Sequence, residues 1–264
     1  LVRSGGGRLS EDFTFGVASA AEASGYGLKI IQLDERKIPI QRVRQVVAGS
    51  DGVVLGLCTE HLLQDGLGEI LGDKHLSLCD SEHRDTADCF EFDYRESGRL
   101  LATHLIRGEH EKVVYLQRAT HTSSTTLLRE GFTDACNQAS VSVDVFDFPA
   151  AGDQMETIVG HADVIAASDD HLAVQAMLWA AFYGRRAGID YVVGGQGNAT
   201  ITTNLSPSLT TTDLDGHTLG ERVGTTLIQR IEKSRMDAFL DEKVTPRLIV
   251  RESSQMKSAS PSKP

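Results

Sequence analysis

The sequence predicts an α/β protein built on parallel sheets, and three observations predict it. Short apolar runs of strand length alternate with longer stretches of helical periodicity along most of the chain. Between Asp163 and Thr212 the alternation is clearest: the apolar run Val164-Ile165-Ala166-Ala167, the capping triplet Ser168-Asp169-Asp170, a long apolar helix, then a second strand at Tyr191–Gly194. The 25 glycines among 264 residues suit many tight turns between strand and helix. Such alternation implies sheets covered by helices on both faces, with ligands held where strand ends meet helix starts.

Taken in order, a helix is expected over Phe13–Ser24, a strand over Leu28–Leu33 and a helix over Pro39–Ala48. Strands follow at Val53–Leu57 and Leu76–Cys79. Near Asp93 a strand gives way to a new helix, Glu96–Ile106, which suggests a division into two lobes. Strand Val113–Leu116, helix Ser124–Ala139, strand Val141–Phe146 and strand Val164–Ala167 come next. The helix over His171–Arg186 carries Leu172, Met177, Trp179 and Phe182. After strand Tyr191–Gly194, a helix over His217–Lys233 places Leu219, Val223 and Leu227 on one face. In that helix Gly220 and Gly224, one turn apart, permit close packing. Residues 255–264, rich in Ser, Pro and Lys, read as a disordered tail.

Composition narrows the function. The net charge of −11 (26 basic, 37 acidic residues) repels phosphate backbones, so these residues are not expected to bind nucleic acid themselves. No run reaches the length of a membrane span and no signal peptide opens the chain. It begins with Leu1 rather than Met and reads as a fragment of something longer. Cys58, Cys79, Cys89 and Cys136 are scattered without a C-x-x-C pair, the pattern of reduced, mostly buried thiols in a cytoplasmic protein. Glu109-His110-Glu111 fits no zinc spacing and reads as a solvated charge cluster. There is no G-x-S-x-G elbow, no Walker pattern and no dinucleotide fingerprint. No catalytic residue, metal or cofactor is expected.

A set of short motifs then falls in a familiar order: Gly25-Tyr26; Gly49-Ser50-Asp51-Gly52-Val53-Val54-Leu55; Asp93, Leu100 to Ile106 and His110-Glu111-Lys112-Val113; Gly131-Phe132; Ser168-Asp169-Asp170-His171-Leu172-Ala173; Val192-Val193-Gly194; Leu209-Thr210-Thr211; and Leu248-Ile249-Val250-Arg251-Glu252-Ser253-Ser254. Each is weak alone, but eight in order over nearly the whole chain resemble the ligand-binding core of LacI/GalR-type transcription regulators. The resemblance implies a type I periplasmic-binding-protein-like fold: two doubly wound parallel-sheet lobes, three crossovers, and a ligand cleft between the lobes. By that likeness the crossovers fall near Phe92–Asp93, Thr211–Asp213 and Asp241–Thr245. One lobe would comprise 1–92 with 213–241, the other 93–212 with 245–254. The family's helix-turn-helix head would precede Leu1.

The same resemblance nominates ligand contacts. Ser4 follows the first strand beside Gly5-Gly6-Gly7, where a flexible turn is the competing reading. Asp80 ends the Leu76–Cys79 strand and could accept hydrogen bonds from a polyol, or be a solvated turn residue. Phe92 could stack on a sugar face or simply fill the core. Ser124 matches a ligand-facing serine in a segment that also caps a helix. Ser168 takes the place of a usual asparagine, and Asp169 reads as an N-cap. Two positions depart from the family's habit. Leu128 stands where a ligand arginine is usual, and Gln196, after Gly195, where an aspartate follows an aromatic residue.

Together these imply the effector-binding core of a homodimeric, cytoplasmic repressor that senses a sugar-like small molecule. Operator DNA would be met only through the absent head, and no membrane is involved. The alternative is a solute-binding protein that feeds a sugar transporter; a sensor domain within a larger signalling protein is a third reading. An intact reading frame separates the first two by a helix-turn-helix or a secretion signal at its start.

Overall fold

The computed structural model describes residues 2–4, 8–33, 40–56, 75–79, 87–108, 110–119, 122–148, 156 and 158–256. These residues divide into two compact units. One runs to Phe92 and resumes over Asp215–Val244; the other comprises Asp93–Leu214 and the residues from Thr245 onward.

The first unit holds a six-stranded sheet. Its strands are β1 (Val2–Ser4), β2 (Ile31–Leu33), β3 (Gly52–Gly56), β4 (His75–Cys79), β5 (Asp88–Phe92) and β11 (Asp241–Val244), in the order β11-β5-β4-β3-β1-β2, all parallel. Among the described residues its helices are α1 (Arg8–Ala23), α2 (Ile40–Ala48) and α6 (Gly216–Ile231). Glycine sets the α1–α6 contact: a Cβ on Gly220 would lie 2.1 Å from the Phe13 carbonyl oxygen. No larger residue allows the two backbones so close, as the helical spacing of Gly220 and Gly224 predicts.

One buried ion pair anchors this unit. Arg230, near the end of α6, donates from Nε to Asp88 Oδ2 at 3.0 Å and from Nη2 to Asp88 Oδ1 at 2.8 Å. It also reaches the carbonyls of Asp237 (2.7 Å) and Ala238 (2.9 Å), and its guanidinium lies over the Phe239 ring. The Leu240 amide donates to the same carboxylate at 2.9 Å. The segment that feeds β11 is thereby clamped to the start of β5.

The second unit repeats the plan. Its strands are β6 (Val113–Arg118), β7 (Val143–Phe148), β8 (Val164–Ala167), β9 (Val192–Gln196), β10 (Thr210–Asp213) and β12 (Arg247–Ile249), in the order β12-β10-β9-β8-β6-β7. Only β12 among these runs antiparallel, against β10. Helices α3 (Tyr94–Leu105) and α4 (Ser123–Gln138) cover one face and α5 (Asp170–Phe182) the other. The two faces have separate cores. Val113, Tyr115, Ala166 and Val192 pack with Leu101, Leu105 and Phe132, while Val114, Leu116, Ile165 and Val193 pack with Leu172, Ala173 and Ala176. This is the strict alternation of a strand buried on both sides. The α3–α4 contact again depends on glycine, since a Cβ on Gly131 would sit 1.9 Å from the Arg95 carbonyl.

The observed elements depart from the sequence expectations in definite places. The strand expected over Val141–Phe146 lies at Val143–Phe148; Val141 is still in the turn, its amide donating to the Cys136 carbonyl. The helix expected to reach Arg186 stops at Phe182. Gly184 takes φ +74° and the Arg185 amide closes back on the Ala180 carbonyl at 2.9 Å, which ends the helix. The two units divide between Leu214 and Asp215, just past β10. Expected features at Leu57, Pro39, Cys58, Glu109 and 257–264 lie outside the described residues. Cys79, Cys89 and Cys136 are buried thiols. No described helix is long and apolar enough to cross a membrane.

Candidate functional site

The C-terminal ends of the strands in the second unit hold a concentration of polar side chains. The row starts with register. In a parallel sheet, residues opposite one another on neighbouring strands point to the same face. Gln117 of β6 pairs with Asp147 of β7, and Gln196 of β9 with Thr212 of β10. The β6–β8 ladder runs to Leu116 opposite Ala167, where the Ser168 amide donates to the Leu116 carbonyl at 2.8 Å. The next residues on these strands are Gln117 and Ser168. From Ala166 opposite Gly194, two steps along β8 and β9 reach Ser168 and Gln196. One polar row therefore crosses the sheet: Asp147, Gln117, Ser168, Gln196, Thr212. It lies on the face of Tyr115 and Ala166, beyond the apolar core shared with α3 and α4.

The two ends of the row are paired and its middle is not. Gln117 Nε2 donates to Asp147 Oδ1 at 2.8 Å, and Ser97 Oγ donates to Thr212 Oγ1 at 2.6 Å. Five buried side-chain atoms among the described residues lack a hydrogen-bond partner: Ser77 Oγ, Gln117 Oε1, Ser168 Oγ, Tyr191 Oη and Gln196 Oε1. Three of the five are neighbours in this row. Gln117 is 3% exposed, Ser168 7% and Gln196 7%. Each unpaired buried polar atom costs about 1–3 kcal/mol, and folded proteins carry few of them.

The opposite face at these strand ends carries charge. Asp169 caps α5 by accepting the Leu172 amide at 2.8 Å, the role its sequence position predicts. Arg118, the last residue of β6, binds the same carboxylate through Nε (2.8 Å) and Nη2 (3.1 Å). Asp170 is buried behind it and accepts from Thr211 Oγ1 at 2.5 Å and from the Ala199 amide at 2.6 Å. Burial raises its carboxyl from 3.8 to about 6, against the lowering effect of those two hydrogen bonds. Asp170 also accounts for Gly195, because a Cβ there would lie 2.6 Å from Asp170 Oδ1. The glycine that departs from the family's aromatic residue makes room for this carboxylate.

The expected site residues are distributed as follows. Ser168 and Gln196 come together, laterally adjacent and both unpaired. Ser124 lies in the first turn of α4, half-buried, with its Oγ 2.9 Å from Thr122 Oγ1; Thr122, not Ser124, is the N-cap. Leu128 is buried and its carbonyl lies against Gly98, so this position serves the α3–α4 contact. Phe92 ends β5 in the first unit, buried at 2% exposure. Ser4 is the last residue of β1, a backbone placement only, and Asp80 lies outside the described residues. Sequence reasoning missed Gln117, Asp147 and Arg118. A polar pair closing the apolar run Val113–Leu116 was the available signal, but its meaning depends on register.

Two hollows lie elsewhere. One, of about 130 Å³, is in the first unit against Val17, Tyr26, Val47 and Leu227. The other, about 410 Å³, is in the second unit and lined by Val174, Met177, Leu178, Tyr191 and Leu205 among others. Among the described residues no group of three or more His, Cys, Asp or Glu could hold a metal ion.

Comparison with known proteins gives concordant results. The model of the periplasmic binding protein-like domain matches residues 102–254. A LacI family transcriptional regulator from Enterococcus faecium with bound ribose superposes with a TM-score of 0.77 at 16% identity, over 97% of this chain and 99% of that one. A periplasmic binding protein/LacI transcriptional regulator from Alkaliphilus metalliredigens, complexed with D-xylulofuranose, gives 0.76 at 21% identity, over 96% and 98%. A dimeric lac repressor with a C-terminal deletion gives 0.77 at 16%, over 97% and 98%. At these identities the likeness is one of fold. None of the curated proteins compared matches the chain.

Proposed function

The chain belongs to the periplasmic binding protein-like domain family, and from that premise we propose that it is the effector-binding and dimerisation core of a LacI-type transcriptional regulator sensing a sugar-like small molecule. The observation that carries the reading is the row at the strand ends. Ser168 and Gln196, buried and unpaired, sit where open parallel sheets bind ligands. Hydroxyl groups of a sugar would satisfy both. Ribose and D-xylulofuranose, bound by two proteins of the same fold, are of that class. Ser124, Phe92, Ser4 and Asp80 complete the proposed contact set.

The homodimer is part of the proposal, and the outer face of α5 supports it. Leu178 is 66% exposed, Phe182 78% and Trp179 37%, beside the apolar hollow lined by Val174 and Met177. A patch of that kind in a folded protein marks an interaction surface. A second copy is the occupant that the dimeric lac repressor suggests. Operator DNA would be met by a helix-turn-helix head outside these residues, since a core of net charge −11 repels it. An effector acts on such a regulator only as far as it binds one of its states better than the other.

A thermal-shift panel of ribose, xylulose, glucose, cellobiose and their phosphate esters tests the reading. A true ligand at a hundred times its Kd stabilises by about 2.7 kcal/mol, a rise of several degrees in Tm. Sedimentation of the same preparation should show a dimer. A panel in which no sugar shifts the melting of a well-folded sample overturns the sugar-sensing function.

A further inference from the structure

We infer that Gln117 is a specificity-determining ligand contact, oriented by Asp147, and that with Ser168 and Gln196 it forms a ladder that reads hydroxyl groups of the ligand. The inference rests on the proposal that the chain is an effector-binding core, and it adds residues that the resemblance does not nominate.

The chemistry of the amide fixes its direction. A carboxylate can only accept hydrogen bonds, so the Gln117 nitrogen faces Asp147 and the oxygen faces away from it. Turning the amide over would set its oxygen against a carboxylate oxygen. Asp147 thus acts as a positioning residue. The row then offers Gln117 Oε1, Ser168 Oγ and Gln196 Oε1 on successive strands, buried and unpaired, flanked by Asp147 and Thr212, which already accept from Gln117 Nε2 and Ser97 Oγ. Adjacent strands lie about 4.8 Å apart, so the three span about 10 Å, a length that several hydroxyls of one small polyol can bridge.

The character of the row is selective. Gln117 Oε1, its amide oriented by Asp147, demands a donor from the ligand, while the Ser168 hydroxyl can take either role. No cation belongs to the row. Arg118 follows Gln117, so alternation turns it to the opposite face, where it is engaged by Asp169. Arg129 belongs to α4, which covers the face of Tyr115.

The test measures Kd by calorimetry on the full chain, using the tightest-binding neutral sugar of the panel above. Gln117→Met keeps the volume and removes the acceptor; it should weaken binding about tenfold, the loss of roughly one buried hydrogen bond. Asp147→Leu should weaken binding and Asp147→Asn should restore it, because an asparagine oxygen can still hold the Gln117 nitrogen. A folded Gln117→Met that binds with unchanged Kd overturns the inference and leaves the sugar-sensing function standing. A panel in which no sugar binds overturns both. Should Gln117→Met not fold, Ser168→Ala takes its place, since it deletes one hydroxyl and little volume; unchanged binding there overturns the ladder.

Discussion

Each unit contains a buried polar cluster, and the two are opposites. In the first, Asp88 and Arg230 form a closed account: two guanidinium contacts, a backbone amide and two backbone carbonyls satisfy what burial removed from water. In the second, Gln117, Ser168 and Gln196 are just as buried, yet each leaves an oxygen without a partner. The first arrangement holds a segment in place. The second leaves two carbonyl oxygens and a hydroxyl that no protein group satisfies, open to a water molecule or to a ligand hydroxyl. Saturation is thus the property that separates a structural polar cluster from a receptive one.

The largest effect that sharpens this contrast is expected at Arg230. Arg230→Ala leaves the Asp88 carboxylate buried and unpaired, and should cost about 3–5 kcal/mol in denaturant unfolding. A loss under 1 kcal/mol would mean that the ion pair is not the clamp described. Next comes Asp170, a saturated carboxylate within the second unit. Its folded pKa of about 6 lies above the ordinary 3.8, so between those values the folded protein holds the proton more tightly than the unfolded chain. The stabilisation is fully present below about pH 4 and is lost as pH rises through 6. It is on the order of 3 kcal/mol. Melts of the unchanged protein and of Asp170→Asn across pH 4–7 should differ by that slope, and parallel profiles would count against it. The smallest effect belongs to Ser168. Deleting a buried hydroxyl that has no partner should leave ligand-free stability unchanged or raise it, by up to about 1 kcal/mol. A clear drop in Tm for Ser168→Ala would show that the hydroxyl is already satisfied, and the contrast would fail.

What the sequence revealed follows the same division. Apolar strands covered on both faces, such as Val164–Ala167, and the Asp169 cap announce themselves through local pattern. So do the helix-packing glycines Gly220 and Gly131. The edge strand Asp241-Glu242-Lys243-Val244 does not, because charged residues suit an exposed sheet edge and resemble a loop. Thr210-Thr211-Thr212 could be placed only by its resemblance to a family motif. Ser168 and Gln196 were nominated one at a time by the same route. Gln117 was not, since its partner Asp147 is thirty residues away and only strand register brings the two together. A site made by lateral neighbours has no signature along the chain.

The division of the chain has a consequence for biosynthesis. The first unit needs α6 against α1 and β11 against β5, yet its opening segment ends at Phe92 and those elements lie within Asp215–Val244. All of Asp93–Leu214 is translated in between. Strands β6 to β10 of the second unit can therefore pair while the first still waits for its last helix and edge strand. Of the two units, the one that begins to leave the ribosome first is complete only when residue 244 has followed it, and until then the α1 face with Phe13 and Val17 is uncovered, a surface for chaperones to guard.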